Sequence, residues 1–197
     1  MTKRLCAVVL VLLAAVGAGR AGEQDIVERL TNAGARVFQV KGGRPDDLHV
    51  EFTGIRDTDA ALAELCELHR LGELMLAGPG VTDDGLRAVA GLTQLRSLRL
   101  DGTAVTDAGL RNLRGLRGLT GLSLSGTRVT DAGLGELTGL TELTLLVLDG
   151  DPGVTDAGLK SLAGLKGLRG VYLRGTGVTE EGAARLRKAL PDCAVVR

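Results

Sequence analysis

Aromatic side chains are almost absent from this sequence of 197 residues. It has two phenylalanines, one tyrosine and no tryptophan, although 44% of its residues are apolar. A core so poor in rings must be filled by leucine and valine, which fits a thin repeated layer better than a wide globular interior. The length indicates one domain.

An excess of charge of either sign is also missing. The formal net charge of the whole chain is zero, and without residues 1–21 it would be −3, from 21 basic and 24 acidic side chains. This balance gives no electrostatic basis for binding nucleic acid or an anionic membrane. Neither is expected as a partner.

No apolar run is long enough to span a bilayer. Residues 5–16 form an unbroken apolar run of 12, short of the ~20 that a membrane helix needs. The run follows Lys3 and Arg4 and precedes small residues, which is the pattern of a secretory signal peptide. We therefore predict a signal peptide at residues 1–21 and an exported mature chain without a membrane span. An uncleaved anchor is the alternative.

Cysteine is scarce, with three residues, of which Cys66 and Cys193 lie outside the predicted signal peptide. They stand about five repeats apart, or roughly 24 Å at the ~4.8 Å spacing of neighbouring strands. A disulfide needs Cα atoms within about 7 Å. Two free, largely buried thiols are expected.

Glycine, in contrast, is abundant and periodic. The motif Val-Thr-Asp-Ala-Gly-Leu, with small variations, occurs at residues 81–86, 105–110, 129–134, 154–159 and 178–183. Successive copies are 24, 24, 25 and 24 residues apart, and the longer step contains an extra residue in the segment 149–153. Such a period indicates a repeat protein.

Each repeat has two halves with different hydrophobic spacing. Residues 95–100 alternate apolar and polar side chains, as a half-buried strand does, and equivalent strands are predicted at 49–52, 74–76, 122–124, 146–148, 171–173 and about 193–196. Residues 106–116 place Leu110, Leu113 and Leu116 three apart, which predicts a short helix. Thr106 is its expected N-cap, and Gly109 would allow neighbouring segments to stack closely.

A strand–turn–helix unit of this length buries its leucines only by stacking on its neighbours. The predicted fold is therefore an α/β leucine-rich-repeat solenoid, with a concave parallel sheet and an outer row of short helices. The repeat pattern resembles bacterial leucine-rich-repeat proteins, and is similar to the GALA-type and F-box-associated cysteine-containing classes. The resemblance covers residues 47–197 and implies a scaffold for protein–protein contacts; residues 22–46 are predicted to form an N-terminal cap.

Candidate metal and catalytic groups have simpler structural explanations. Asp83, Asp107, Asp131 and Asp156 should form a row of carboxylates, but each stands at a predicted helix start, and the pair Asp149 and Asp151 is a weak cation signal. Only two histidines occur, His49 and His69, and no nucleophile elbow or phosphate loop is present. No metal site, cofactor or catalytic activity is expected, and the arginines at positions 111, 114 and 117 are interpreted as a solvated outer face.

The outward strand positions fall into three register-matched rows. The first contains His49, Glu73, Ser97, Gly121, Leu145 and Gly170; the middle row contains Glu51, Met75, Arg99, Ser123, Val147 and Tyr172; the third contains Thr53, Ala77, Asp101, Ser125, Asp149 and Arg174. Apolar residues gather at the C-terminal end of this face, so the predicted binding residues are Leu145, Val147, Asp149, Tyr172 and Arg174. Local sheet packing of Val147 against Tyr172 is the alternative.

These observations predict an exported protein, periplasmic, envelope-associated or extracellular, that binds another protein through its concave face and is monomeric on its own. The alternative is a structural component of the cell envelope that self-associates.

Overall fold

The computed structural model describes residues 22–39, 48–53 and 62–197. The predicted signal peptide lies outside these residues. Among them, no helix is both long and apolar enough to cross a membrane.

The repeats build one sheet of eight strands in the order of the chain. Strand β1 pairs antiparallel with β2, and every later pair of neighbours is parallel. The strands are β1 Arg36–Gln39, β2 Leu48–Thr53, β3 Leu71–Ala77, β4 Ser97–Arg99, β5 Gly121–Ser123, β6 Leu145–Val147, β7 Gly170–Tyr172 and β8 Ala194–Val196. The predicted strands are confirmed, including the final one, whose register is now defined by the pairing of Val171 with Val195.

The period of the sequence sets the register of the sheet. Ser97 pairs with Gly121 across one regular step of the repeat, and Leu145 pairs with Gly170 across the longer step that contains the insertion. Equivalent residues therefore stack in rows. The leucine and valine rows that point inward, such as Leu98, Leu122 and Leu146, are buried and form a single core.

The outer half of each repeat is helical, but in short pieces of two kinds. Helix α1 spans Glu23–Asn32, α2 Leu86–Val89, α3 Asp107–Leu110, α4 Asp131–Leu134, α5 Leu159–Leu162 and α6 Glu180–Ala189. Segments Ala63–Glu67, Arg111–Leu113 and Gly135–Gly139 are 3₁₀ helices. The predicted helix over 106–116 is thus part α and part 3₁₀, as the three-residue leucine spacing permits at 3.0 residues per turn.

The two halves of a repeat differ in width, which makes the sheet side the inner one. Parallel strands lie about 4.8 Å apart, whereas helical segments with their side chains need more room. The solenoid therefore bends with the sheet on its concave side, and this concave face holds the three rows predicted from the sequence.

The N-terminal segment packs on the first repeats. Helix α1 buries Ile26, Val27 and Leu30, and Arg70 of the first repeat donates to Glu23 at 3.0 Å. Both side chains are largely removed from solvent, with 22% of Arg70 and 5% of Glu23 exposed. Helix α1 and strand β1 lie within the segment predicted to be the N-terminal cap. The boundary of the cap at residue 46 falls outside the described residues and stays a prediction.

The two cysteines are free, as predicted, but they differ in burial. Cys193 is buried and Cys66 is exposed, so the expectation of two buried thiols was wrong for Cys66. The reason is the 3₁₀ helix Ala63–Glu67, in which Leu65 alone is buried. Cys66 follows Leu65 on the outer side of this helix.

Candidate functional site

The three predicted rows of the concave face are confirmed by the strand pairing. Glu51, Met75, Arg99, Ser123, Val147 and Tyr172 pair in succession, and so do His49, Glu73, Ser97, Gly121, Leu145 and Gly170. The third row continues past the strands, where Gly126 donates its N–H to the carbonyl of Asp149 and Gly150 donates to that of Arg174. Pairing at this register brings the five predicted binding residues together on β6, β7 and the turns that follow them.

Leu145 is the most exposed of these side chains. It is 41% accessible and is the one large hydrophobic residue classed as exposed among residues 22–39, 48–53 and 62–197. Its neighbours along the row are both glycines, Gly121 and Gly170. A Cβ added to Gly170 would meet Cδ1 of Leu145 at 3.2 Å and Cε2 of Tyr172 at 3.6 Å, so Leu145 leans over β7 toward the tyrosine ring.

Val147 and Tyr172 are half-buried and continue this apolar surface. The pairing adds Val196, which lies beside Tyr172 on β8 and was absent from the sequence prediction. It could have been found by extending the middle row from Tyr172 by one further period of the repeat. We call Leu145, Val147, Tyr172 and Val196 the apolar patch.

Two charged residues, Asp149 and Arg174, border the apolar patch, and Asp149 already forms a hydrogen bond within the fold. Oδ1 of Asp149 accepts a hydrogen bond from the backbone N–H of Arg174 at 2.7 Å, which ties the turns after β6 and β7 together. Asp149 is half-buried and Arg174 is exposed. The guanidinium of Arg174 is therefore the more available of the two for a partner.

A hollow lies beside the apolar patch, over β4 and β5. It has a volume of about 340 Å³ and a floor of small residues at Ser97, Gly121, Ser123 and Ser125. Leu145 and Val147 form one wall, and Arg99 and Asp101 line the other. This hollow was missed at the sequence level, although the small residues in adjacent rows were its signal.

The polar wall of the hollow is fixed by its own contacts. Arg99 donates to Oδ2 of Asp101 at 2.9 Å, and the hydroxyl of Ser123 donates to the other oxygen of the same carboxylate. An apolar wall facing a neutralised ion pair suits an amphipathic side chain better than a free charge.

The N-terminal end of the face is different, because its polar groups are already paired with one another. Nδ1 of His49 lies 2.8 Å from Glu73, its ring stacks on Phe38 with centroids 4.4 Å apart, and Arg36 contacts Glu51 at 3.2 Å. The apolar patch, with the exposed Leu145, lies in the other half of the face, away from these ion pairs.

The row of aspartates on the outer edge has a structural role that the sequence analysis only partly recognised. Asp107 accepts from the backbone N–H and the hydroxyl of Thr130 at 2.7 and 2.6 Å, and Asp131 does the same with Thr155. Asp83 and Asp156 bind Thr106 and Thr179 in the same way. We call this series the aspartate–threonine ladder.

Ladder threonines also cap helices, as predicted for Thr106. Its hydroxyl accepts from the N–H of Ala108 at 3.2 Å while donating to Asp83. The aspartates were interpreted as helix-start residues, but both carboxylate oxygens are used as acceptors between repeats. In the described part of the chain, no group of three or more His, Cys, Asp or Glu could hold a metal ion.

The outer arginines lie on an exposed face, as expected. Arg111, Arg114 and Arg117 are all exposed, and the first two contact Glu136 of the next repeat.

Comparison with solved structures identifies the architecture. The chain is similar to internalin C2 of Listeria monocytogenes, with 29% identity and a TM-score of 0.58 over 68% of this chain and 54% of that one. It also matches a leucine-rich-repeat protein of Leptospira interrogans, with 21% identity and a TM-score of 0.51 over 68% of this chain and 39% of that one. No family model and no curated protein matches the sequence.

The structure and these likenesses together define a leucine-rich-repeat solenoid, of the kind found in bacterial proteins. The chain spans about half the length of internalin C2.

Proposed function

We propose that this protein is an exported leucine-rich-repeat module that binds another protein through the C-terminal half of its concave face. One observation is central: Leu145 is 41% exposed between two glycines, next to the half-buried Val147 and Tyr172. A contiguous apolar patch that remains accessible to water is typical of a contact surface, and Leu145 is the most exposed member of this one. We also infer that the repeats belong with the GALA-type class that their sequence resembles.

The geometry favours a partner with a convex surface. An apolar patch that includes a tyrosine and is bordered by Arg174 has the composition of an interface hot spot. The adjacent hollow of about 340 Å³ would accept one protruding side chain of the partner between Leu145 and the Arg99–Asp101 pair. The partner is expected to bury its apolar side chains against β5, β6 and β7.

Affinity capture from the periplasmic, envelope and extracellular fractions of the native cells tests this proposal. The wild type is compared with Val147→Asp combined with Tyr172→Ala, which puts a charge in the patch and removes its ring. Thr141→Asp serves as the matched control, because it introduces the same charge at an exposed position of the outer half. Circular dichroism of each variant checks that it is folded.

The proposal expects one captured protein that is lost with the concave variant and kept with Thr141→Asp. Equal capture by all three folded proteins would move the binding site away from the patch.

Self-association as an envelope component is the second candidate, favoured by the same exposed leucine. Sedimentation velocity of the mature chain separates the two. A monomer across micromolar concentrations supports the interaction module. A dimer or larger assembly that Val147→Asp dissolves would support self-association instead.

Export is tested by the mass of the protein recovered from outside the cytoplasm. A chain that lacks residues 1–21 supports a cleaved signal peptide, whereas a full-length chain in the membrane fraction would indicate a retained anchor.

A further inference from the structure

The turn after β6 differs chemically from the other turns of the solenoid. Asp151 occupies the position that is held by Thr103, Thr127 and Thr176 in neighbouring repeats. Its side chain is buried, with 1% of the residue exposed. A carboxyl group therefore stands in a site that three other repeats use for a hydroxyl, and the repeat of β3 has Pro79 there.

The two oxygens of this carboxyl group have different surroundings. Oδ1 accepts from the backbone N–H of Thr127 at 2.7 Å and from its hydroxyl at 3.2 Å. Oδ2 is buried and has no hydrogen-bond partner among the described residues. An ionised oxygen in this position would lose its hydration without compensation.

Two of the three threonines at this position, Thr103 and Thr176, donate to a carbonyl of their own turn, whereas Thr127 donates to Asp151. The hydroxyl of Thr103 donates to the carbonyl of Leu100 at 2.8 Å, and that of Thr176 donates to Leu173 at 2.6 Å. The equivalent carbonyl in the repeat of Asp151 belongs to Leu148. A carboxylate cannot donate a hydrogen bond to it, but a carboxylic acid with its proton on Oδ2 can.

The charges around the turn also disfavour ionisation. Burial raises the pKa of Asp151 from 3.8 to about 6; hydrogen bonds from Thr127 oppose this rise, while the negative charges of Asp101 and Asp149 add to it. The basic side chains on the adjacent turns, Arg128 and Arg174, are exposed to solvent.

We propose that the turn 149–153 is proton-sensitive: Asp151 is a neutral acid in the fully ordered turn, its Oδ2 proton replacing the hydroxyl that Thr103 and Thr176 supply in their repeats, and its ionisation loosens the turn. Only a proton moves, from Oδ2 to solvent. This inference concerns the fold and does not require the proposed function.

A consequence for binding does rest on the proposed function. Asp149 lies in the same turn and holds the backbone of Arg174 at 2.7 Å, so loosening would disturb the rim of the apolar patch. Partner affinity is then expected to be higher in mildly acid solution than at neutral pH. A failure of binding would leave the stability test below unaffected.

The stability test compares unfolding of the wild type and of Asp151→Thr as a function of pH. Because the pKa is higher in the folded state than in the unfolded chain, the contribution of Asp151 to stability is complete below pH ~4 and is lost as the pH rises through about 6. The quantity to compare is the equilibrium constant for unfolding of the wild type divided by that of Asp151→Thr. This ratio should rise roughly tenfold between pH 5 and 7.5. The threonine variant introduces the residue that three other repeats carry at this position, so it is expected to fold.

A direct readout is the carbon-13 resonance of the Asp151 carboxyl group, assigned by its absence in Asp151→Asn. A titration midpoint near 6 supports the proposal. A midpoint at or below 4, or a relative stability that does not change with pH, would overturn it. So would a stabilisation by calcium at pH 7.5 that Asp151→Thr abolishes, because the oxygen would then serve a cation.

Discussion

At the scale of single residues, the glycine of the Val-Thr-Asp-Ala-Gly-Leu motif is explained by the aspartate of the preceding repeat. A Cβ on Gly133 would come closer than 3.0 Å to Oδ1 of Asp107, and one on Gly109 would meet Asp83 in the same way. The motif thus supplies both sides of one contact between repeats. The aspartate of one repeat binds the threonine of the next repeat, and the glycine of that next repeat leaves free the space that the aspartate occupies.

Replacing Gly133 by alanine should therefore destabilise the protein by about 2–3 kcal/mol, because Asp107 must give up its hydrogen bonds to Thr130. Gly135 is the matched control. A Cβ there meets nothing within 4 Å, and its φ of −61° is helical, so Gly135→Ala should stabilise by up to about 1 kcal/mol. Urea unfolding of both variants measures the difference; equal effects would contradict the steric explanation.

The sequence predicted close packing at these glycines but not its cause. The spacing shows that Gly109 recurs with the repeat, whereas the partner of its missing Cβ lies in the preceding repeat, at Asp83. The burial of the Asp151 carboxyl group was not predicted for a similar reason. A deviation from the repeat marks a loop insertion in the sequence, and only the packing of the turn shows that its Oδ2 is enclosed.

At the scale of elements, the contact of helix α1 with the first repeat combines buried apolar side chains with the buried ion pair between Glu23 and Arg70. Glu23→Gln removes the charge that Arg70 contacts at 2.9 Å and should cost about 1–3 kcal/mol. Glu64→Gln is the control, since its ion pair with Arg29 also joins helix α1 to the first repeat, but the side chains of Glu64 and Arg29 are 38% and 52% exposed. That change should cost less than about 0.5 kcal/mol.

Thermal unfolding of the two variants provides the comparison. If Glu64→Gln were as destabilising as Glu23→Gln, burial would not be what makes the first ion pair important.

The elements themselves were largely predictable because each depends on local spacing. The alternation of apolar and polar side chains predicted the strands near Leu98 and Leu122, and the period of the repeat predicted their register. The division of the outer half into α and 3₁₀ pieces was not predictable, because both place a leucine at every third position over one turn. The exposure of Cys66 depends on the same detail, as the 3₁₀ helix that contains it turns only Leu65 inward.

At the scale of the whole molecule, the solenoid should tolerate the loss of one complete repeat. Deleting residues 107–130 joins Thr106 to Asp131 and restores the motif, with the bond from Thr106 to Asp83 retained. Because each repeat contacts mainly its neighbours, the shortened chain should fold with lower stability and a smaller urea m-value.

Deleting residues 107–118 instead removes half a repeat and shifts the strands out of phase with the ladder, so this chain should not fold. Circular dichroism distinguishes the two. If both deletions were equally unfolded, the stability of the solenoid would depend on more than contacts between neighbours.

The sequence predicted which residues form each row of the binding face, but it did not predict the shape of the surface between them. Register places Leu145, Val147 and Tyr172 together, and it would have placed Val196 beside them. The hollow next to Leu145 depends on how neighbouring side chains lean and pair, which the sequence does not encode locally. The role of this face in binding is the central claim.

Tyr172 offers the most direct measurement of that claim, because it is the single tyrosine of the chain and lies in the apolar patch. Protein labelled with 3-fluorotyrosine has one fluorine resonance, which reports on the patch alone. Addition of the unlabelled captured partner should shift this resonance and reduce its sensitivity to exchange of H₂O for D₂O. A partner that binds while the chemical shift and solvent sensitivity stay unchanged would contradict the concave binding site.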